Sequence, residues 1–364
     1  MNPYLLQLDE YFKMRRVHAK LNRERLSAFA AEVALQELGA PEWREPVYPE
    51  GDLEFVEFLG WANSINFHFT DLATREKFQT LWPECSHCRQ QMKLYEETGK
   101  RRFRCQAHGV EGTLWSGAFA MDACLRRAKD DGIPVADPRF LRNKKEWTDK
   151  LARFVFRGVE PVPVIPMLKE RHNLLNLSAI RLEDYGDEWM NVLRLASFYA
   201  FKSGLGAVER LGHEFPSYHD EYRGFPGSSG PPIPFFKRAH LFVQMYEGRA
   251  RASSVLPRIK DPELLMLPAD YELPRALRAI GAVEYSPRLL SKIIAKDEVK
   301  EGSVAEIEIR LSVVEAGEIL EREINAIRKA GGLSLYTKVE LDYLLWTKGR
   351  ACPEPHHLTR TTKY

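Results

Sequence analysis

Residues 266–291 read MLPADYELPRALRAIGAVEYSPRLLS, and the fold follows from how they are read. Asp270 stands just ahead of a predicted helix N-terminus. Pro274 suits the first turn, where a missing N–H costs nothing. Leu273, Leu277 and Ile280 recur at helical spacing and give one apolar face. Gly281 stops that helix, and Tyr285-Ser286-Pro287 opens another element. The stretch predicts a rigid helical pair with Asp270 at its mouth. Backbone N–H groups and the positive end of the helix dipole favour a carboxylate there. An acid held that way suits catalysis by a fixed negative charge; a helix-start Asp with no chemistry fits the same letters.

Downstream, residues 304–330 predict one long helix in which Glu306 and Arg310 are four apart and can pair. Residues 337–348 predict another. Asp342, Tyr343 and Thr347 fall within an arc of about 140° on it, with Leu341, Leu344 and Leu345 on the core side. Upstream, residues 235–246 form a helix with Lys237 and Arg238 at its start beside Phe235. Such a pair can hold a phosphate or simply be solvated. Residues 224–234, GFPGSSGPPIP, hold seven Gly or Pro among eleven and predict a surface loop that could serve as a lid. Residues 189–215 are apolar nearly all round for two turns and predict a buried central helix.

The N-terminal half reads as helices broken by prolines. Residues 1–40 carry amphipathic helix signals such as Leu26, Phe29 and Val33, and 41–50 is a connector. Residues 52–69 begin as a helix and end in the alternating Ser64-Ile65-Asn66-Phe67-His68-Phe69. That alternation predicts a half-buried strand with Asn66 and His68 on one face. Residues 115–132 predict a helix with Cys124 in the core, and 133–142 a proline-punctuated loop. The most specific spacing is Cys85-x-x-Cys88 followed, after sixteen intervening residues, by Cys105-x-x-His108. Two such knuckles flanking a hairpin with its turn at Thr98-Gly99 suit a structural, four-ligand Zn²⁺. His87 is a weaker competing ligand.

Composition excludes several classes. Fifty-three basic against 51 acidic residues leave a net charge of +2, which is not the footprint of a dedicated nucleic-acid binder. No apolar run of about 18 residues predicts a membrane span, and the first residues lack a signal-peptide core. Five cysteines, three of them clustered, do not make a disulfide framework. The expectation is a cytoplasmic protein of mainly α class. Residues 1–60 and 118–364 would make one helical fold, interrupted by a small β-rich, zinc-ribbon-like insertion at 61–117.

The chain resembles the queuosine salvage proteins, the queuosine 5′-phosphate N-glycosylase/hydrolase family. The likeness is carried, in order, by Ser64–Phe69; Ser116-Gly117 with Arg127-Ala128 and Gly132-Ile133-Pro134; Ile165-Pro166 with Glu170-Arg171; and Phe215–Asp220. It continues through Phe236–Ala239; Ala269-Asp270-Tyr271 with Leu273-Pro274; Tyr285-Ser286; Glu306–Arg310; Leu341-Asp342-Tyr343 with Leu345-Trp346; and His356-His357 with Thr359-Arg360. The resemblance implies a fold like that of helix-hairpin-helix DNA glycosylases and hydrolysis of the N-glycosidic bond of queuosine 5′-monophosphate. It implies that Asp270 is the catalytic carboxylate and that Asp342 and Tyr343 bind the base. Three positions depart from the pattern. Thr347 stands where the family has a further base-contacting Asp, Pro268 where it has a Phe, and Tyr48 is nearest to an expected His. The zinc-type knuckles also lie outside the pattern. Tyr271, Lys237 and Asp220 complete the predicted substrate side.

The expected partner is a small nucleotide, without a stable nucleic-acid complex or a membrane, and no cofactor takes part in the chemistry. A base glycosylase acting on nucleic acid and a non-enzymatic zinc-ribbon module remain as alternatives. A basic stripe around Asp270 would favour the first, and a fully exposed Asp270 the second.

Overall fold

The computed structural model describes residues 2–85, 87–88, 93–97, 100–227 and 229–364. Among these residues the order is α1 (Pro3–Phe12), β1 (Ala19–Leu21), α2 (Arg23–Ala34), α3 (Asp52–Ser64), β2 (Gln79–Trp82), β3 (Lys93–Glu97), β4 (Lys100–Arg104) and β5 (Glu111–Ser116). Then come α4 (Ala118–Asp130), α5 (Pro138–Arg142), α6 (Asp149–Val155), α7 (Leu168–Leu182), α8 (Trp189–Leu195), α9 (Ala207–Glu214), β6 (Glu221–Tyr222) and β7 (Ile233–Pro234). The chain ends with α10 (Lys237–Ala252), α11 (Glu272–Ala279), β8 (Val283–Tyr285), α12 (Pro287–Ile294), α13 (Val304–Ala330) and α14 (Lys338–Ala351). The protein is mainly helical with small sheets, as the sequence predicts. None of the described helices is long and apolar enough to cross a membrane. The chain divides into two compact units, residues 1–43 with 191–364, and residues 44–190.

In the first unit α13 is the axis. Its middle, from Ile307 to Leu320, is buried on almost every side, so it reads as an enclosed rather than an amphipathic helix. The Ser303 hydroxyl caps it by accepting the Glu306 N–H at 3.3 Å. α2, β1, α11 and α14 pack around it. Two glycines permit the closest approaches. A Cβ on Gly317 would meet the Leu267 side chain at 2.7 Å, and one on Gly349 of α14 would meet the Glu272 carbonyl of α11 at 2.5 Å. α14 can therefore lie directly on the helix that follows Asp270. Its own start is a capping box: Thr337 N–H donates to Glu340 Oε2 at 3.0 Å and Thr337 Oγ1 accepts from Val339 N at 3.3 Å.

The predicted helical pair is present as α11 and α12. Gly281 ends the first at φ +74°, and Ser286 caps the second. Between them β8 pairs antiparallel with β1, Leu21 opposite Val283 and Ala19 opposite Tyr285. The single helix expected over 189–215 is instead two, α8 and α9. Ser197 and Phe198 adopt left-handed backbone between them, and the Asp261 carboxylate accepts the Ala200 and Phe201 N–H groups at 2.6 and 3.0 Å. A carboxylate supplied from sixty residues downstream thus replaces the helical ladder. The Gly/Pro-rich loop of 224–234 is clasped at its base by β6 and β7.

In the second unit an antiparallel sheet runs β2-β5-β4-β3, and α4 packs against β2 and β5. The hairpin expected between the Cys knuckles is β3–β4; its Thr98-Gly99 turn lies outside the described residues. The strand expected over 64–69 does not form. Ser64 closes α3, and His68 takes a positive φ of 39°. The alternation has another cause. The buried Arg171 guanidinium donates to the Phe67 and His68 carbonyls, and the Phe67 and Phe69 rings lie 4.2 and 5.2 Å from its carbon. The segment wraps a cation instead of pairing with a strand. The loop expected at 133–142 contains α5, which Asp137 caps by accepting the Arg139 N–H at 2.9 Å, with Pro138 in the first turn.

Candidate active site and metal centre

Asp270 is 8% exposed. Its Oδ1 accepts the N–H groups of Glu272 and Leu273 at 2.8 and 3.1 Å, the helix-start arrangement expected from sequence. Burial nevertheless raises its pKa above the usual carboxylate range, against the opposing Lys237 ammonium and these two N–H groups. The segment leading into it is gripped by α10. Met266 N–H donates to His240 Nδ1 at 3.1 Å, and Gln244 Nε2 donates to the Met266 carbonyl at 2.8 Å. Burial pushes His240 down to about 3, so it is a neutral acceptor. His240 and Gln244 were not singled out in the sequence. Their i,i+4 spacing on one face of α10 was the available signal.

Lys237 and Asp342 complete an ionic group around Asp270. Lys237 is 3% and Asp342 6% exposed. Burial lowers Lys237 to about 8, although Asp270, Asp342 and Asp220 all favour its charge. Asp342 is raised well above the carboxylate range, first by burial and then by the Asp270 charge, with Lys237 opposing. Of the two carboxyls, Asp270 has the backbone donors, which favour its ionised form. Two carboxyls whose environments push them apart form an anion and an acid pair, the arrangement from which acid and base roles are assigned.

The other predicted residues are distributed as follows. Pro268 accepts the Asp270 N–H through its carbonyl at 2.7 Å. The Tyr271 ring lies 4.5 Å from the His356 ring. Tyr343 is half-buried against Trp43 and Trp346, at 5.7 and 6.1 Å between centroids. Thr347 is exposed, one turn beyond Asp342. The Lys237–Arg238 pair is buried, not solvated. Asp220 is fully buried and committed to other groups. Both its carboxylate oxygens accept from Arg310, and Oδ2 also accepts the Lys237 N–H at 3.0 Å. Arg310 overrides the burial that would raise Asp220, and holds it below its ordinary value. Glu214 pairs with Arg210 at 3.4 Å. In the second unit, Tyr48 is buried and hydrogen-bonds to Asp122, whose carboxyl burial pushes up to about 8.

The knuckle residues also converge. The Sγ atoms of Cys85, Cys88 and Cys105 and the His108 ring nitrogen lie within 4.8 Å of one another. His108 Nδ1 is 3.6 Å from Cys85 and Cys105 and 3.1 Å from Cys88. A tetrahedral Zn²⁺ with bonds of about 2.3 Å to sulfur and about 2.05 Å to nitrogen spaces its ligands about 3.5 Å apart. The donor set therefore fits a metal ion. Leu81, Phe103 and Val110 pack around it. His87 stacks on His108 at 4.8 Å and is not one of the four.

A family model described as "Queuosine salvage protein" matches residues 48–364. Three relatives carry the name "Queuosine 5′-phosphate N-glycosylase/hydrolase". The protein from Sphaerobacter thermophilus is 29% identical over 272 residues, covering 73% of this chain and 76% of that one. The mouse protein is 30% identical over 268 residues, 70% and 73% of the two chains. The Schizosaccharomyces pombe protein is 23% identical over 353 residues, 94% and 90%.

Proposed function

The chain belongs to the queuosine salvage protein family, and from that premise we propose how the Asp270 site acts. The protein is a hydrolase that cleaves the N-glycosidic bond of queuosine 5′-phosphate and so frees the base for salvage. Cleaving a ribosyl C–N bond builds oxocarbenium character on the sugar. A fixed carboxylate beside C1′ stabilises that charge or attacks it. In our reading Asp270 is that carboxylate, and its two backbone donors fix its orientation. Asp342, kept largely protonated by its surroundings, faces the base. There it can donate a hydrogen bond, or ionise against the amine of a cationic modified base. Lys237, at the start of α10, takes the 5′-phosphate. Pro268, Tyr271 and Tyr343 line the substrate side, with Thr347 at its outer edge and Asp220 behind Lys237.

The observation that carries this reading is the buried Asp270–Asp342–Lys237 group inside the family-matched region. Incubation with queuosine 5′-monophosphate and with guanosine monophosphate, watching for free base, tests it. Release from the first and not the second is the expected result.

We further infer that Cys85, Cys88, Cys105 and His108 hold a structural zinc in a ribbon-like insertion. The spacing of the four ligand atoms supports this. Four protein ligands leave no open position, so the metal would stabilise the fold and take no part in the reaction. The helical part is, in the same reading, of the helix-hairpin-helix glycosylase type. The α11–α12 pair that follows Asp270 supports that assignment.

A further inference from the structure

We propose that the Asp220–Arg310 ion pair is a positioning device that sets Lys237 and Asp270 relative to each other. The inference rests on the reading above, in which those two residues act on substrate. Arg310 and Asp220 are both fully buried and meet in a bidentate pair, Nη1 to Oδ1 at 2.8 Å and Nη2 to Oδ2. Each partner then reaches one backbone group next to the site. Asp220 Oδ2 accepts the N–H of Lys237 itself at 3.0 Å. Arg310 Nε donates to the carbonyl of Ala269, the residue before Asp270, at 3.1 Å. One planar ionic unit therefore ties the start of α10 to the segment that presents Asp270.

Two further features make the unit rigid. The Arg310 guanidinium carbon lies 4.0 Å from the Phe235 ring and 4.4 Å from the Tyr364 ring. Asp220 also accepts, through its main-chain carbonyl, the N–H groups of Phe235 and Phe236 at 3.0 Å each. Three consecutive N–H groups, 235 to 237, thus point at one residue. Phe236 takes a left-handed φ of 41°, and such backbone persists where its surroundings over-determine it. Charges buried as a pair are weak evidence for stability, because well-packed apolar side chains serve as well. Apolar side chains would not, however, supply the two backbone contacts that this pair directs at Lys237 and Asp270.

The test compares Arg310→Lys with Tyr364→Leu. Lysine keeps the charge but cannot make the bidentate pair and reach Ala269 together. Tyr364→Leu keeps the ion pair and removes one of the rings beside it, together with the hydroxyl that contacts His357 at 3.2 Å. Misplacing reacting groups by about 1 Å costs roughly 10²-fold. We expect Arg310→Lys to lower kcat by roughly 10- to 100-fold, with a smaller change in KM. Tyr364→Leu should act in the same direction, more weakly. Both should displace the alkaline limb of the pH–kcat/KM profile that Lys237 sets. The control is Arg328→Lys. Arg328 is equally buried, lies 3.8 Å from the Tyr336 ring and donates to the Ala34 carbonyl at 2.9 Å, but touches nothing near Asp270. It should lose stability with kcat and pH profile unchanged. If either test variant, folded, keeps wild-type kcat and pH profile while Asp270→Asn is inactive, the pair is merely structural and the proposal fails. An active Asp270→Asn overturns instead the reading on which it rests.

Discussion

Replacing Asp270 by Asn separates charge from shape. Asn keeps an Oδ1 that can accept the Glu272 and Leu273 N–H groups now bound at 2.8 and 3.1 Å, so the start of α11 keeps its cap. In the reading proposed above, what is lost is the negative charge beside C1′. Removing one electrostatic stabiliser of a transition state typically costs about 10²- to 10³-fold in turnover, about 2.7–4 kcal/mol. Nucleotide binding should survive, because the lost interaction strengthens only in the transition state. Stability moves the other way. Burial raises the folded-state pKa of Asp270. Between the unfolded value and that raised value the folded protein binds more protons than the unfolded chain, so stability falls as pH rises through the window. Above that window the ionised carboxylate is a cost to stability, and Asn removes it. The expected result is a variant with a melting temperature equal to or above wild type, intact nucleotide binding and base release slowed at least about 100-fold. The assays are base release by chromatography, calorimetric titration with the nucleotide, and thermal melts at pH 5, 7 and 9. Near-wild-type release by Asp270→Asn would refute the assignment.

Three other outcomes follow. Elemental analysis should find about one zinc per chain in wild type and none in a Cys85→Ser/Cys88→Ser variant of lower melting temperature; a metal-free wild type of equal stability would remove the zinc site. Asp342→Ala should lower kcat/KM by roughly 10- to 150-fold, chiefly through KM, corresponding to about 1.5–3 kcal/mol for a lost charge-assisted hydrogen bond; unchanged kinetics would leave α14 a packing helix only. Lys237 is lowered by burial to about 8, so its charge is present below that pH and lost above it. kcat/KM should decline as pH rises through about 8, Lys237→Gln should lack that limb, and a wild-type profile flat from pH 7 to 9 would exclude the ammonium from substrate binding.

The parts of the fold that were legible in sequence are those written by local chemistry. Gly281 and Ser286 each mark a helix end, and the helices end and begin there. The parts that were not legible depend on distant partners. β1 and β8 are three-residue strands more than 260 positions apart, too short to show a period. The alternation at 64–69 is imposed by Arg171, and the break after α8 by Asp261. The site divides the same way. The placement of Asp270 at a helix start follows from Pro274 and Gly281, but its burial does not. The arc on α14 groups Asp342, Tyr343 and Thr347 against Leu341, Leu344 and Leu345, but Asp342 is buried like Leu341 and Leu345 while Leu344 is half-buried and Thr347 exposed, so period alone does not give burial here. Glu306 and Arg310 were paired on spacing, and they do approach to 3.9 Å. The principal partner of Arg310 is Asp220, ninety residues away, which no local pattern announces.

The charge composition of the site bears on which substrate it suits. A carboxylate in water is strongly screened, and its effect on a developing cation is small; in a buried site the same charge is worth several times more. Burial alone, however, drives a carboxyl towards its neutral form, in which it stabilises no cation. The site meets both demands through the Lys237 charge and two backbone donors to Asp270, while the second acid, Asp342, has neither of those donors, and burial and the Asp270 charge favour its neutral form. The cost of that arrangement is that Lys237 opposes the very field Asp270 would exert on the sugar. A substrate with its own anion at the other end resolves this. In the proposed reading, a 5′-phosphate takes up the lysine charge and leaves the aspartate uncompensated at C1′. A nucleoside without the phosphate would leave the Lys237 charge opposing Asp270, so in this reading the 5′-phosphate contributes to the chemical step as well as to binding.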